Sequence, residues 1–163
     1  MQNSLHEIIA YILLYSCKVL NRNGLSKYRL TKLVYLCDWC YTVATGKQLT
    51  DIQWFFDNYG PFVWDISDTV KHNTKLFKIN MVKDYLGNEV TSFDITDLTY
   101  EPFVTEDAKT CINFILDNAV KLSRRDFTNL VYATYPIKTS RRYTNLNLVE
   151  KAKEYKLVKK NGK

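Results

Sequence analysis

The sequence predicts a mainly helical α+β domain, in which five or six helices surround a central buried helix beside a small antiparallel β-sheet or hairpin. Three patterns predict this class. Segment 26–46 is apolar on nearly every side at helical spacing, segments 77–82 and 90–95 alternate as strands do, and capping residues precede other apolar segments. With 163 residues, 46% of them apolar, the chain is long enough to bury one core.

The first helix is predicted to begin after Ser4, because Ser4 and Glu7 form a capping-box pattern in which each side chain bonds the other residue's backbone N–H. The polar run Asn-Arg-Asn-Gly at 21–24 ends it. Ser26 then caps the central helix, and Gly46 ends it, since glycine accepts the left-handed conformation of a helix C-terminus.

The central helix carries two stripes. One face repeats apolar residues at i, i+3, i+4, i+7, i+11 and i+14: Leu30, Leu33, Val34, Cys37, Tyr41 and Ala44. The second stripe places aromatic rings about one lysine: Tyr28, Lys32, Tyr35 and Trp39. A lysine there must reach water, pair with a carboxylate or face a functional cleft. A helix apolar on so many sides is predicted to be central.

An aromatic segment, WFFDNYGPF at 54–62, follows the central helix. The Gly60–Pro61 step interrupts regular structure, and Pro61 is predicted to start a helix running through Val70. Segments 77–82 and 90–95 are predicted to form a hairpin around a turn at 85–88. Because an isolated two-stranded hairpin is marginally stable, we expect the segment 54–56 to supply a third strand.

Further helices are predicted from capping residues later in the chain. Thr105 precedes a helix with two acidic residues in its first turn, and Ser123 precedes another that Pro136 ends. Asn147 is predicted to cap a last short helix with Leu148 on its buried face.

Two motifs together resemble the Panacea domain family of SocA-like antitoxins and related proteins often carried by phages and mobile elements. They are RLTKLVYLCD at 29–38 and WFFDNYGPF at 54–62, separated by roughly the spacing of that family. The resemblance rests on Leu30, Lys32, Leu33, Tyr35, Leu36, Tyr59, Gly60 and Pro61, and the predicted element order extends it from about Leu5 to about Pro136. The chain departs from the family pattern at VYATYP, residues 131–136, where the family has a histidine shortly before the proline.

The resemblance and the charge distribution predict two regions. Residues 1–137 form the Panacea-like globular domain, and residues 138–163 form a basic C-terminal extension with a short helix packed on the domain. The extension holds nine Lys or Arg residues and two Glu, which gives it a charge of +7. Because the whole chain has a net charge of +6, residues 1–137 have a net charge of −1.

Composition and motifs argue against several function classes. No nucleophile–base pattern and no phosphate-binding glycine loop are present, so we predict a protein without enzymatic activity or cofactor. Cys37 and Cys40 are formally C-x-x-C, but their mid-helix position lacks the activating helix N-terminus, which favours reduced cysteines over a metal or redox site. The longest apolar run, 8–15, is too short for a membrane span, and no secretion signal is apparent, so we expect a cytoplasmic location.

The resemblance implies an antitoxin that neutralises a cognate toxin by direct protein–protein binding. Alternatives are a nucleic-acid-binding or regulatory protein that uses the basic extension, a protease adaptor, and, last, a metal or redox protein. The predicted partner-binding residues are Lys32, Tyr35, Trp39, Trp54, Phe56 and Tyr59, and we expect one or two rings of the dense aromatic segment to be exposed. The residues predicted to act through the fold are Leu30, Leu33, Leu36, Gly60 and Pro61.

Overall fold

The computed structural model describes residues 3–162 and has the mainly helical α+β architecture that the sequence predicts. The helices of this region are α1 Leu5–Lys18, α2 Lys27–Thr45, α3 Asp65–Lys71, α4 Glu106–Ala119, α5 Arg124–Tyr132, α6 Tyr135–Lys138 and α7 Leu148–Asn161. The strands are β1 Leu25–Ser26, β2 Trp54–Asp57, β3 Gly60–Phe62, β4 Phe77–Lys83, β5 Glu89–Ile95 and β6 Asn145–Leu146.

Helix α2 is the centre of the fold, as predicted. Residues 29–38 are all buried. The helix packs against helices α3, α4 and α7 and against strands β1, β3 and β5. Its ends are where the sequence places them, since the Ser26 hydroxyl accepts a hydrogen bond from the backbone N–H of Arg29 and Gly46 adopts the left-handed conformation. Ala44, expected on the buried face, is exposed because it lies in the last turn beyond the packed elements.

Two three-stranded antiparallel sheets flank α2. The first has the order β1-β5-β4 and contains the predicted hairpin, with Ile79 opposite Phe93 and Val82 opposite Val90. The second has the order β3-β2-β6. The expectation that segment 54–56 joins the hairpin is therefore wrong: β2 belongs to the second sheet, and the two-residue strand β1 completes the first.

The Gly60–Pro61 step forms strand β3 and does not start a helix, which corrects the sequence prediction. Asp57 pairs with Gly60 across a tight turn, so the chain reverses there, and α3 begins only at Asp65. Gly60 has a φ of 101°, a conformation that other residues adopt only with strain. Pro61 is tolerated because β3 is an edge strand of its sheet.

The predicted capping box at the start of α1 is also wrong in detail. The helix does begin after Ser4, but the Ser4 hydroxyl bonds the His6 ring, and Glu7 accepts hydrogen bonds from the Tyr100 hydroxyl and the Phe103 backbone. Glu7 is thus bound by residues far along the chain, and the reciprocal hydrogen bonds predicted between Ser4 and Glu7 do not form. Pro136, expected only to end a helix, also lies near the start of the four-residue helix α6.

The basic C-terminal segment contributes to both a sheet and the core. Strand β6 pairs with β2, and α7, capped by the Asn147 side chain as predicted, packs against α2 with Leu148 and Ala152 buried. At 14 residues α7 is longer than the short helix expected. Across residues 3–162, the helices are too short or too polar to cross a membrane.

Candidate functional site

Lys32 lies at the base of a cleft between α2, the β2–β3 turn and the start of α5. The residue is only 2% exposed, and its Nζ donates a hydrogen bond to the Pro61 carbonyl oxygen over 2.7 Å. Among residues 3–162 it forms no ion pair with a carboxylate. Burial lowers the pKa of Lys32 to about 8, partly opposed by the nearby Asp57 carboxylate.

The cleft, which we call the Lys32 cleft, has a volume of about 510 Å³, within the range of small-ligand pockets. Its lining residues are Ser26, Lys27, Tyr28, Thr31, Lys32, Asp57, Tyr59, Phe62, Trp64, Val90, Thr91 and Arg124. Three cations and one carboxylate leave the lining with two positive charges, and four of the lining side chains are aromatic. The arrangement suits an anionic group attached to an apolar or planar one.

Cations and rings alternate around the cleft. Arg124 lies over the Tyr28 ring with its Cζ 3.8 Å from the centroid, and the Lys32 Nζ is 5.0 Å from the same centroid. At the mouth, the Lys27 Nζ is 4.6 Å from the Trp64 ring centroid. Tyr28 is itself fixed by a hydrogen bond between its hydroxyl and that of Thr128 on α5. These contacts hold the cations in place by cation–π attraction, and none of the three forms a salt bridge with a carboxylate within residues 3–162.

Two large rings project from the mouth of the cleft: Tyr59 is 76% exposed and Trp64 61% exposed. The cleft also borders the β4–β5 hairpin, because Val90 and Thr91 line it and pair across the hairpin with Val82 and Met81. Those two partners are 43% and 59% exposed. Met81 and Val82 are consecutive residues of β4 and therefore lie on opposite faces of the hairpin, so each face carries an exposed apolar side chain close to the cleft.

The predicted partner-binding residues fall into three groups. Lys32 and Tyr59 both line the cleft. Tyr35, Trp54 and Phe56 are buried in the core, so any effect they have on a partner must pass through the fold.

Trp39 is half-buried, and its ring contacts Tyr155 of α7 at 5.7 Å between centroids. Of the residues predicted to act through the fold, Leu30, Leu33 and Leu36 are core residues, and Gly60 and Pro61 form the buried turn that supplies the carbonyl to Lys32.

Sequence reasoning did not identify Lys27, Trp64 and Arg124 as site residues. Trp64 lies two residues after the aromatic segment 54–62, and the expectation that one or two rings of this aromatic-rich region are exposed holds for Tyr59 and Trp64. Arg124 follows a capping serine and shows no local signal, because it reaches the cleft only through the packing of α5 near α2.

A second buried ionisable group, Asp38, lies further along α2. Its carboxylate accepts hydrogen bonds from the Thr50 backbone N–H at 2.8 Å, the Thr50 hydroxyl at 2.6 Å, the Trp54 indole at 2.7 Å and the Gln48 amide at 3.3 Å. Burial nevertheless raises the pKa of Asp38 to about 6. This network ties α2 to the loop before β2.

The cysteines lie mostly among apolar side chains. Burial raises the pKa of the Cys37 thiol well above its usual value, and burial together with Cys111 raises that of Cys40 to about 12. Such thiols resist ionisation and are weak nucleophiles. Between residues 3 and 162, no three His, Cys, Asp or Glu side chains lie where they could hold a metal ion together.

A comparison with protein families identifies one match. Residues 30–136, about two thirds of the chain, match the family described as antitoxin SocA-like, Panacea domain. The matched region includes both motifs noted in the sequence, apart from Arg29 at the start of the first, and most of the cleft lining. No curated protein and no solved structure matches the chain.

Proposed function

This chain belongs to the Panacea-domain family of SocA-like antitoxins, and we propose that it neutralises a cognate toxin by binding it directly, without catalysis. The proposal rests on one observation beyond the family: Tyr59 and Trp64 stand exposed at the mouth of the Lys32 cleft. Aromatic residues at a concave, partly apolar surface are the usual energetic anchors of protein interfaces.

The neighbouring hairpin supports a contact surface larger than two rings. Met81 and Val82 are exposed beside the cleft, and Tyr85 and Leu86 at the hairpin turn are 91% and 69% exposed. Exposed apolar side chains clustered on one hairpin mark interaction sites more often than exposed apolar residues scattered singly do. We propose that the toxin covers the cleft mouth and the adjacent hairpin.

The experiment uses the protein encoded by the neighbouring open reading frame, tested first for lethality when expressed without this chain. The double variant Tyr59→Ala/Trp64→Ala should lose neutralisation in cells and bind the purified toxin at least about tenfold more weakly, since truncated aromatic anchors typically have effects of that size. Both side chains are exposed, so thermal melting should be unchanged.

The matched control is Phe103→Ala/Phe114→Ala, which removes two rings that are 61% and 60% exposed elsewhere on the surface. It should neutralise like the native chain. Equal loss in both double variants, or full neutralisation by Tyr59→Ala/Trp64→Ala, would move the contact surface away from the cleft.

A second candidate function is nucleic-acid binding through α7. Lys153, Lys156 and Lys160 are exposed, and their spacing places them on one side of the helix. A duplex bound there should dissociate with rising salt, with a log–log slope of about −0.9 for each phosphate contacted.

The test replaces these three lysines with Gln and compares duplex binding at two salt concentrations. Truncation is unsuitable because it removes β6 and α7 from the fold. Tight duplex binding that the triple variant loses, with toxin neutralisation intact, would support this second function. An unchanged salt slope would exclude α7 as the binding surface.

A further inference from the structure

The Lys32 cleft has a buried cation, Lys32, to which the proposed toxin contact through Tyr59 and Trp64 gives no role. Lys32 is 2% exposed and has one backbone carbonyl and two flanking rings as its contacts, the centroids of Tyr28 and Phe62 lying 5.0 and 5.9 Å from its Nζ. A buried ammonium ordinarily needs a carboxylate or several acceptors to offset its lost hydration. Lys32 has neither, and it faces an open cavity.

We infer that the Lys32 cleft is a binding site for a nucleoside monophosphate, with Lys32 and Arg124 supplying charge to the phosphate and the rings at the mouth supplying stacking to the base. This goes beyond the proposed function, and it is tested on the chain alone, without a toxin.

Charge is the first argument for this ligand. Lys27, Lys32 and Arg124 outweigh Asp57 by two positive charges in the lining, and a phosphomonoester carries close to two negative charges at neutral pH. The Arg124 Cζ and the Lys32 Nζ both lie within 5.0 Å of the Tyr28 ring centroid, so both cations are beside the same ring of the lining.

Shape and surface are the second argument. The volume of about 510 Å³ lies in the range of small-ligand pockets, and a few charged groups are set among apolar and aromatic ones. Trp64 and Tyr59 expose their rings at the mouth, where a planar base can stack. Stacking on an exposed aromatic ring is a common, sequence-tolerant way to hold a nucleobase.

The test is isothermal titration of the full chain with AMP, with adenosine and inorganic phosphate as separate probes. AMP should bind measurably at submillimolar concentration, and each half-ligand at least about tenfold more weakly. Lys32→Met, which keeps side-chain length and removes the charge, should weaken AMP binding at least about tenfold, as expected for a lost hydrogen bond to a charged group. The exposed-site control Lys156→Met should have no effect.

The pH dependence provides a second readout that a folding defect cannot imitate. Burial lowers the pKa of Lys32 to about 8 in the free chain, and only its ammonium form attracts phosphate. Affinity for AMP should therefore fall as pH rises from 7 to 9, where the phosphate charge is constant, and this fall should vanish in Lys32→Met.

The variant Trp64→Ala, at an exposed position that does not endanger the fold, should also weaken AMP binding while leaving binding of inorganic phosphate unchanged. Three results would each overturn the inference: no heat of binding with millimolar AMP, adenosine binding as tightly as AMP, or AMP affinity unaffected by Lys32→Met. Loss of toxin binding in Lys32→Met without AMP binding to the native chain would instead assign the cleft to an acidic group of the toxin.

Discussion

Lys32 and Asp38 are both ionisable, both buried and both on α2, yet their surroundings are opposite. Asp38 is completely buried and accepts hydrogen bonds from three residues of the following segment. Lys32 is nearly as buried, but it donates to one carbonyl and otherwise faces rings and a cavity. A satisfied buried charge holds a fold together, whereas an unpaired one beside a cavity is available to a ligand or partner. We therefore place Asp38 among the residues that hold the fold together, and we propose a functional role for Lys32.

The largest expected effect is on the Asp38 side of this comparison. Asp38→Ala leaves the Trp54 indole and the Thr50 N–H buried without an acceptor, so it should lower the free energy of unfolding by about 3 kcal/mol. Urea unfolding measures this change, with Glu101→Ala, an exposed carboxylate, as the control expected to have almost no effect. A loss no larger than the control's would show that Asp38 is not the structural member of the pair.

The next effect concerns the turn that supplies the carbonyl to Lys32. Gly60 has a φ of 101°, and an added Cβ would lie 3.5 Å from the Tyr132 ring and 3.7 Å from the Lys32 Cε. Gly60→Ala should destabilise by about 2 kcal/mol through backbone strain. Thermal melting should show a lower melting temperature, and AMP titration should show weaker binding because the Pro61 carbonyl is displaced.

Gly46→Ala is the matched control for that substitution, because Gly46 also has positive φ but no neighbour within 4 Å of an added Cβ. It should destabilise the chain without changing AMP affinity. If Gly60→Ala also leaves affinity unchanged, then the position of the Pro61 carbonyl does not matter to the cleft.

The smallest expected effect is on stability at Lys32. Lys32→Met replaces a buried charge by an apolar side chain of similar length, so it should change the free energy of unfolding by no more than about 1 kcal/mol, because the desolvation of a buried charge offsets most of what its contacts contribute. The free energy of unfolding should therefore change much less in Lys32→Met than in Asp38→Ala, and this difference measures how differently the two buried groups contribute to the fold.

The two residues also predict different pH windows. Lys32 has a folded-state pKa of about 8, below its usual 10.5, so its neutral form adds stability that is present above pH 10.5 and lost as pH falls through 8. Asp38 has a folded-state pKa of about 6, above 3.8, so its contribution is present below pH 3.8 and lost as pH rises through 6. Urea titrations of the native chain and Lys32→Met should diverge between pH 8 and 10.5; parallel curves would contradict the burial of an ionisable lysine.

Local patterns in the sequence were enough to locate most elements. The apolar faces of α2 and the caps at Ser26, Gly46, Ser123 and Asn147 are encoded within a few residues, and each is where the pattern predicts. Pairing between distant segments was not predictable. Strand β6 pairs with β2 across some ninety residues of chain, and the Glu7 side chain bonds the loop before α4 and not its own helix.

The residues of the candidate site were predictable where the signal is local, and they were not predictable where distant segments come together. Lys32 could be singled out because a lysine among aromatic residues needs an explanation, and a functional cleft was one of the three predicted outcomes. The same argument applies to Asp38 in an apolar helix, but its partners lie 10 to 16 residues later, in the loop before β2 and at the first residue of β2, where no helical period marks them. Lys27 and Arg124 join Lys32 only through the packing of α5 and the aromatic segment around α2.

Hydrogen–deuterium exchange of the chain, free and in complex with the protein encoded by the neighbouring open reading frame, tests the central claim most directly. We expect the complex to protect the segment 57–64 and the hairpin residues 81–91, which border the Lys32 cleft, while the amides around Asp38 are already protected in the free chain. Protection confined to α4 or α7, with the cleft segments exchanging as in the free chain, would contradict the proposal that the toxin covers the Lys32 cleft.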